Sequence, residues 1–108
     1  MNPETLLQPL QQLLTQVQLL LAFAHAENWD AIQIEMVDYQ KRAVLLEDEI
    51  YLQSLKDANL VIEAQGLMLQ IQGFNQQVDE HAEAFHEKVA SELRQMNLSN
   101  KALDAYRR

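Results

Sequence analysis

The chain has 108 residues, 48% of them hydrophobic, which allows one folded domain and excludes extensive disorder. Its net charge of −8 makes nucleic acid a poor direct partner, and the lack of cysteine excludes disulfides and thiolate chemistry. Two Gly and two Pro are too few for the turns of a β-protein, so the composition predicts a single all-α domain over residues 1–108.

The first predicted helix covers about residues 3–26. Asn2 is a suitable N-cap, Pro3 suits the first helical position, and Glu4 places an acid in the first turn. Apolar residues then recur at spacings of four and three, at Leu6, Leu10, Leu13, Val17, Leu20 and Ala24. Pro9 costs a backbone hydrogen bond, so the helix is expected either to kink there or to begin just before it.

The second predicted helix covers about residues 29–53 and follows a short break at Glu27 and Asn28, where Asn28 can act as the N-cap. Its apolar seam consists of Trp29, Ile32, Met36, Tyr39, Ala43, Leu46 and Ile50. Because the break is so short, the first two helices should form an antiparallel hairpin.

After a second break at residues 53–59, a third helix is predicted for about residues 59–96. Its seam runs through Leu67, Ile71, Phe74, Val78, Ala82, Phe85, Val89, Leu93 and Met96. At 1.5 Å per residue it would be about 57 Å long, against about 35–39 Å for each of the others, so it should overhang the hairpin. A break at Asn97–Asn100 then predicts a short fourth helix over about residues 99–107. The expected architecture is an antiparallel three-helix bundle with a long third helix and a short tail helix.

Two glycines, Gly66 and Gly73, lie seven residues apart within the third predicted helix. Each costs about 1 kcal/mol of helix stability relative to Ala. One interpretation is that the helix tolerates them at a point of close packing. The other is a bend, or a smooth strip that a partner helix can approach closely.

Residues typical of catalytic or metal sites are scarce. Glu83 and His86 have the i, i+3 spacing of half a di-iron carboxylate site, but Ala22 precedes His25 and Val78 precedes His81 at the corresponding positions, so no second copy exists. No phosphate-binding loop, nucleophile elbow or zinc motif occurs. The sequence therefore predicts a protein that is not an enzyme, with no catalytic residue, metal or cofactor.

The apolar stripes on the three predicted helices exceed what such an arrangement can bury. Surplus apolar surface marks a protein–protein site or self-association, and a groove between helices can accept an amphipathic helix. Charge is also uneven, because residues 88–108 carry a net +3 and the remaining residues −11. The basic tail is therefore expected to touch the acidic body.

The segment Leu19–Asp30, LLLAFAHAENWD, followed by Glu35, Val37 and Tyr39, resembles the flagellar export chaperone FliT family. Members of that family carry a similar Leu/Ala-rich helix end, an acidic or glycine-containing Glu-x-Trp-Asp turn and a Glu-x-x-x-Tyr pattern. The segment Lys101–Arg107 is similar to the family's Asn-Ala-Tyr-Gly-type segment, from which Asp104 and Arg107 depart. The resemblance covers the whole chain in helix order, and its motif residues lie in 19–40 and 98–107.

The resemblance implies a cytoplasmic helical bundle that binds the C-terminal helical region of the filament cap protein. It implies delivery of that client to the flagellar type III export apparatus through the export ATPase complex. In some relatives it also implies binding of the flagellar master transcription regulator, which makes the protein a negative regulator of flagellar genes. The family's C-terminal helix is an inhibitory cover over the client groove, and this chain's cover would be short.

From this we expect a client groove between the second and third helices. Its expected residues are Trp29, Ile32, Met36, Tyr39, Leu67, Ile71, Phe74 and Val78. The expected regulatory tail, which would compete for that groove, contains Leu98, Leu103, Tyr106 and Arg107. No membrane insertion is expected.

Two alternatives stay open at this stage. The chain could be a helical structural or oligomeric adaptor whose stripes form a homodimer or larger homo-oligomer, or a small secretion chaperone with a different client. A fixed stoichiometry at all concentrations, with no displacement by client peptides, would favour the structural oligomer. Co-purification with export substrates would favour a chaperone.

Overall fold

A computed structural model of the chain describes the backbone of residues 3–107 and the side chains of residues 4–96. Four α-helices follow one another along the chain: α1 (Pro3–His25), α2 (Trp29–Ala43), α3 (Glu49–Asp57) and α4 (Val61–Arg107). A 3₁₀ turn, Val44–Glu47, joins α2 to α3. The described residues are helical apart from short connections and contain no strand, which confirms the predicted all-α helical class.

The turn between α1 and α2 is fixed by hydrogen bonds at both helix ends. Glu27 adopts a left-handed conformation (φ 56°), the Asn28 N–H donates to the Phe23 carbonyl (2.9 Å), and the Glu27 N–H donates to the Ala24 carbonyl (3.1 Å). This pattern is a Schellman motif, which satisfies carbonyls at the end of α1. The Asn28 side chain in turn accepts from the Ala31 N–H, so the predicted N-cap is confirmed.

The predicted second helix, 29–53, is wrong in its second half, because α2 ends at Ala43. Asp48 adopts an extended conformation (ψ 111°) that interrupts the helix, and its carboxylate accepts from the N–H groups of Ile50 (2.9 Å) and Tyr51 (3.4 Å). Asp48 is therefore the N-cap of a separate helix, α3, which occupies most of the predicted break at residues 53–59.

A second Schellman motif ends α3. Asn59 is left-handed (φ 61°), the Leu60 N–H donates to the Leu55 carbonyl (2.9 Å), and the Asn59 N–H donates to the Lys56 carbonyl (3.0 Å). Both Leu55 and Leu60 are buried, which supplies the apolar contact that usually accompanies this motif. The chain then enters α4 at Val61.

Helix α4 has 47 residues and is continuous to Arg107, so the predicted break at Asn97–Asn100 and the separate tail helix are wrong. The chain divides into two compact units, Met1–Val78 and Asp79–Arg108, and the boundary between them falls within the sequence of α4. The side chains of the predicted regulatory tail, Leu98, Leu103, Tyr106 and Arg107, lie outside the described residues.

The core of the first unit is built on α1. All six residues of its predicted seam are buried, and Leu10, Val17 and Leu20 have no exposed surface. Helix α1 passes through Pro9 without ending, and the Tyr51 hydroxyl donates to the Leu6 carbonyl (2.6 Å), which ties α3 to the first turns of α1. Buried residues of α2, α3 and α4 complete the same cluster.

Candidate functional site

The eight residues expected to line a client groove lie in or against the core. Ile32, Tyr39, Ile71 and Val78 are buried, with exposed fractions of 8%, 5%, 2% and 3%. The other four are partly buried and pack against the same cluster: Trp29, Met36, Leu67 and Phe74. The four buried residues are therefore covered within the chain, and the other four lie at the edge of the core cluster.

A polar contact within this core joins α2 to α4. The Asn75 side-chain amide donates to the Tyr39 hydroxyl oxygen at 2.6 Å. Burial raises the pKa of Tyr39 above its ordinary value of 10.0, and the bond from Asn75 offsets part of that rise. Tyr39 belongs to the Glu-x-x-x-Tyr pattern, and its hydroxyl here has a structural role, because it links α2 to α4.

A second buried polar group sets the pairing of α1 with α2. The Gln16 side-chain amide, 8% exposed, donates to the carboxylates of Asp38 (3.0 Å) and Glu35 (3.3 Å). Asp38 also pairs with Arg42 at 3.1 Å. Glu35 is the other residue of the family-like pattern, and its carboxylate is therefore engaged in fixing the register of the hairpin.

The face of α4 that points away from the core carries large apolar side chains and both glycines. Ile62 is 82% exposed and Leu69 is 67% exposed. Gly66 and Gly73 lie on the same face, and apart from the neighbouring backbone of α4 itself, no atom of the described residues would lie within 4 Å of a Cβ added at either position. The glycines therefore do not mark a point of close packing inside this chain. They make a smooth strip beside the two exposed residues.

An apolar cleft between α3 and α4 continues this face. It has a volume of about 210 Å³ and is lined by Leu52, Leu55, Lys56, Val61, Ala64, Gln65 and Met68. A shallower depression of about 350 Å³ shares Gln65 and Met68 with the cleft and extends to Leu69 and Gln72. We call the combined area, from Leu52 through Met68 to Leu69 and Ile62, the α3–α4 surface.

A separate apolar patch lies on the outer side of α2 and the turn that follows it. Ile34, Val37 and Val44 are 74%, 56% and 65% exposed, and their spacings of three and seven place them on one face. Lys41 lies between them on that face. Neither the cleft nor the depression described above is lined by a residue of this patch.

The described residues contain no group of three or more His, Asp or Glu side chains that could hold a metal ion. The Glu83 and His86 spacing noted in the sequence thus has no third ligand nearby within residues 4–96. No helix within the described part of the chain is long and apolar enough to cross a membrane.

The sequence contained part of the signal for the α3–α4 surface. Gly66 and Gly73 were candidates for a smooth strip, but Leu52, Val61 and Met68 fell outside the predicted seams. These residues could be assigned to one surface only if the helix breaks at Asp48 and at Asn59 were both predicted correctly. Comparisons of the chain with protein-family models, curated proteins and solved structures found no match.

Proposed function

We propose that this chain is a binding protein that holds an amphipathic helix of a client protein on the α3–α4 surface. The observation that carries the proposal is the conjunction on one side of α4 of an apolar cleft, two largely exposed aliphatic residues and two glycines with open space above them. Helix-in-groove recognition uses apolar anchors at helical spacing, and a cleft of this kind accepts such an anchor.

The shape of the surface suits a helix better than a small molecule. The strip from Ile62 to Gly73 covers 12 residues, which is about 18 Å of helix or three turns. Because Gly66 and Gly73 lack side chains, a helix laid beside Leu69 can approach the α4 backbone closely. Leu69 and Ile62 then cover its apolar side while Met68 and the cleft accept a larger side chain.

The polar rim of the surface favours a client helix with neutral or basic flanks. Gln65 and Gln72 line the depression and can donate or accept hydrogen bonds. Residues 1–87 carry a net charge of −11, which repels acidic segments and attracts basic ones at long range. Charge of this kind acts mainly on the association rate and on the rejection of acidic competitors.

The resemblance to the FliT family makes the proposal more specific. On that basis the client is the C-terminal helical region of the filament cap protein, and the chain acts in the cytoplasm as a flagellar type III export chaperone. Delivery through the export ATPase complex and binding of the flagellar master transcription regulator follow from the same resemblance. What the described residues support is a helix-binding surface, and the identity of the client depends on the motif residues quoted above.

Calorimetric titration with the C-terminal helical fragment of a filament cap protein tests the proposal. Leu69→Lys places a charge in the middle of the surface and should weaken binding at least tenfold, which corresponds to about 1.4 kcal/mol. Gln18→Lys adds the same charge at an exposed position of α1, on neither helix of the surface, and should change the affinity little. Equal affinities for the two variants would place the client elsewhere. An absence of binding by the wild-type chain would remove the flagellar assignment.

A further inference from the structure

A row of four residues on α2 points away from the core of the first unit. At about 100° per residue, Asp30, Ile34, Val37 and Lys41 lie within about 60° of one another around the helix axis. The buried Tyr39 lies on the opposite side of the same helix. Ile34 and Val37 are both largely exposed, although they are β-branched aliphatic residues. We call these four residues the α2 stripe.

The spacing within the α2 stripe is typical of a helix that pairs with another helix. Its residues follow one another at intervals of four, three and four, which are the a and d positions of a heptad repeat. Ile34 and Val37 occupy the two central positions, and one acidic and one basic residue occupy the outer two. Polar residues at such positions fix the register of a helix pair at some cost in its stability. The stripe therefore combines an apolar centre with charges that select one alignment of a second helix.

The two charges of the stripe are complementary to those of a second copy that runs antiparallel. Asp30 lies four residues before Ile34, and Lys41 lies four residues after Val37. A two-fold axis midway between Ile34 and Val37 therefore places Asp30 of each copy opposite Lys41 of the other. The same axis places Ile34 of each copy opposite Val37 of the other. Opposite charges at both ends of an apolar contact favour this alignment.

Other alignments of the two stripes are less favourable. In a parallel pair, Asp30 faces Asp30 and Lys41 faces Lys41, so both outer positions bring like charges together. An antiparallel pair shifted by one heptad places Lys41 opposite Val37, or Asp30 opposite Ile34, depending on the direction of the shift. Each of these shifts leaves a charge against an apolar side chain without a partner. The charges thus select one antiparallel register.

The other charged residues of α2 are Glu35, Asp38 and Arg42, and they are engaged within the chain. Glu35 and Asp38 both accept from the Gln16 amide, and Asp38 also pairs with Arg42. In the selected register, Asp38 of the two copies lies on the same flank of the pair, about 8 Å apart along the helix axis. The guanidinium of Arg42 offsets this charge in each copy. The other flank carries two uncharged polar side chains, Gln33 and Gln40.

We propose that the α2 stripe pairs antiparallel with the α2 stripe of a second copy and forms a two-fold symmetric dimer. The contact from Asp30 to Lys41 is about 17 Å long, which buries less surface than an obligate interface. The dimer is therefore reversible and depends on protein concentration. The pairing uses no residue of the α3–α4 surface, so it does not rest on the client proposed above.

Sedimentation equilibrium of the full chain tests for this association. The wild-type chain should shift from monomer to dimer at high micromolar concentration. Val37→Lys places a charge opposite Ile34 of the other copy and should weaken dimerisation by about tenfold or more. Gln18→Lys, at an exposed position of α1, is the matched control and should dimerise like wild type. A wild-type chain that stays monomeric at its highest soluble concentration, or equal dimerisation of the two variants, would overturn the proposal.

Disulfide trapping tests the orientation and the register, because the chain contains no cysteine of its own. A mixture of Asp30→Cys with Lys41→Cys should give a covalent mixed dimer under mild oxidation, since these positions face each other. Neither variant should cross-link with itself, because its two copies of the residue lie about 16 Å apart along the pair, beyond the reach of a disulfide. Self-cross-linking of Asp30→Cys would show a parallel pair and contradict the arrangement. A mixed yield no higher than that of Asp30→Cys with Gln18→Cys would also contradict it.

Discussion

Replacing Ile71 by Ala distinguishes a buried seam from an open client groove. Ile71 lies on α4, is 2% exposed and belongs to the core cluster that includes α1. Its truncation removes three carbon atoms from a packed site, and such Ile→Ala changes cost about 2–5 kcal/mol. Because Ile71 is almost fully buried in that cluster, we expect about 3–4 kcal/mol, a large part of the total stability of a domain this size. Urea unfolding followed by circular dichroism measures the loss.

Leu69→Ala is the control for this experiment. Leu69 lies two residues away on the same helix but is 67% exposed, so its truncation should cost less than about 1 kcal/mol. The slope of the unfolding free energy with denaturant should stay unchanged in both variants. If Ile71→Ala proved as mild as Leu69→Ala, Ile71 would line an accessible groove, which would contradict the proposal that the client binds on the α3–α4 surface instead.

Three further results follow from the structure. Glu27→Gly should raise the free energy of unfolding by about 0.5–1 kcal/mol, because glycine adopts the left-handed conformation at φ 56° without strain. The greater flexibility of glycine in the unfolded state removes only part of that gain. Destabilisation in thermal unfolding would show that this turn is not strained. Asp48→Ala should cost about 0.5–2 kcal/mol by removing the N-cap of α3, with Asp48→Asn close to wild type. Burial raises the pKa values of Tyr39 and Tyr51 above 10.0, so the folded state holds these protons more tightly than the unfolded state, and stability should fall as pH rises above about 10. Tyr39→Phe and Tyr51→Phe should each reduce that fall, and a pH dependence identical to wild type would contradict it.

The first helix and its turn could be predicted because local chemistry and long-range packing agree there. The seam from Leu6 to Ala24 is regular, and Asn28 is a strong N-cap at the point where the seam ends. A helix boundary can be predicted from a single sequence when the end of the apolar seam and a capping residue coincide in this way.

The helix break at Asp48 could not be predicted, because the acidic residues around it fit both a continuing helix and the start of a new one. Glu47, Asp48 and Glu49 together look like the solvated face of a continuing helix, and the apolar seam continues through Leu46 to Ile50. Only the extended backbone of Asp48 and its two accepted hydrogen bonds show that it begins a new helix. The N-cap propensity of Asp was present in the sequence but competed with an unbroken period.

The predicted groove follows the core-facing seams for a related reason. Apolar residues at spacings of three and four identify a helix face that is buried against another element. They do not show whether that element belongs to the same chain or to a partner. Tyr39 and Ile71 are covered within the chain, whereas Ile62 and Leu69 on the opposite face of α4 are exposed. Distinguishing the two faces required knowing that α1, α2 and α4 share one core.

Chemical-shift mapping by NMR tests the central claim most directly. An isotope-labelled chain titrated with the unlabelled C-terminal helical fragment of a filament cap protein should show its largest shifts at α3–α4 surface residues, among them Leu52, Met68 and Leu69. The amides of Ile34 and Val37 on the outer side of α2 should move little. Shifts concentrated at Ile34 and Val37, with the α3–α4 surface unchanged, would contradict the account.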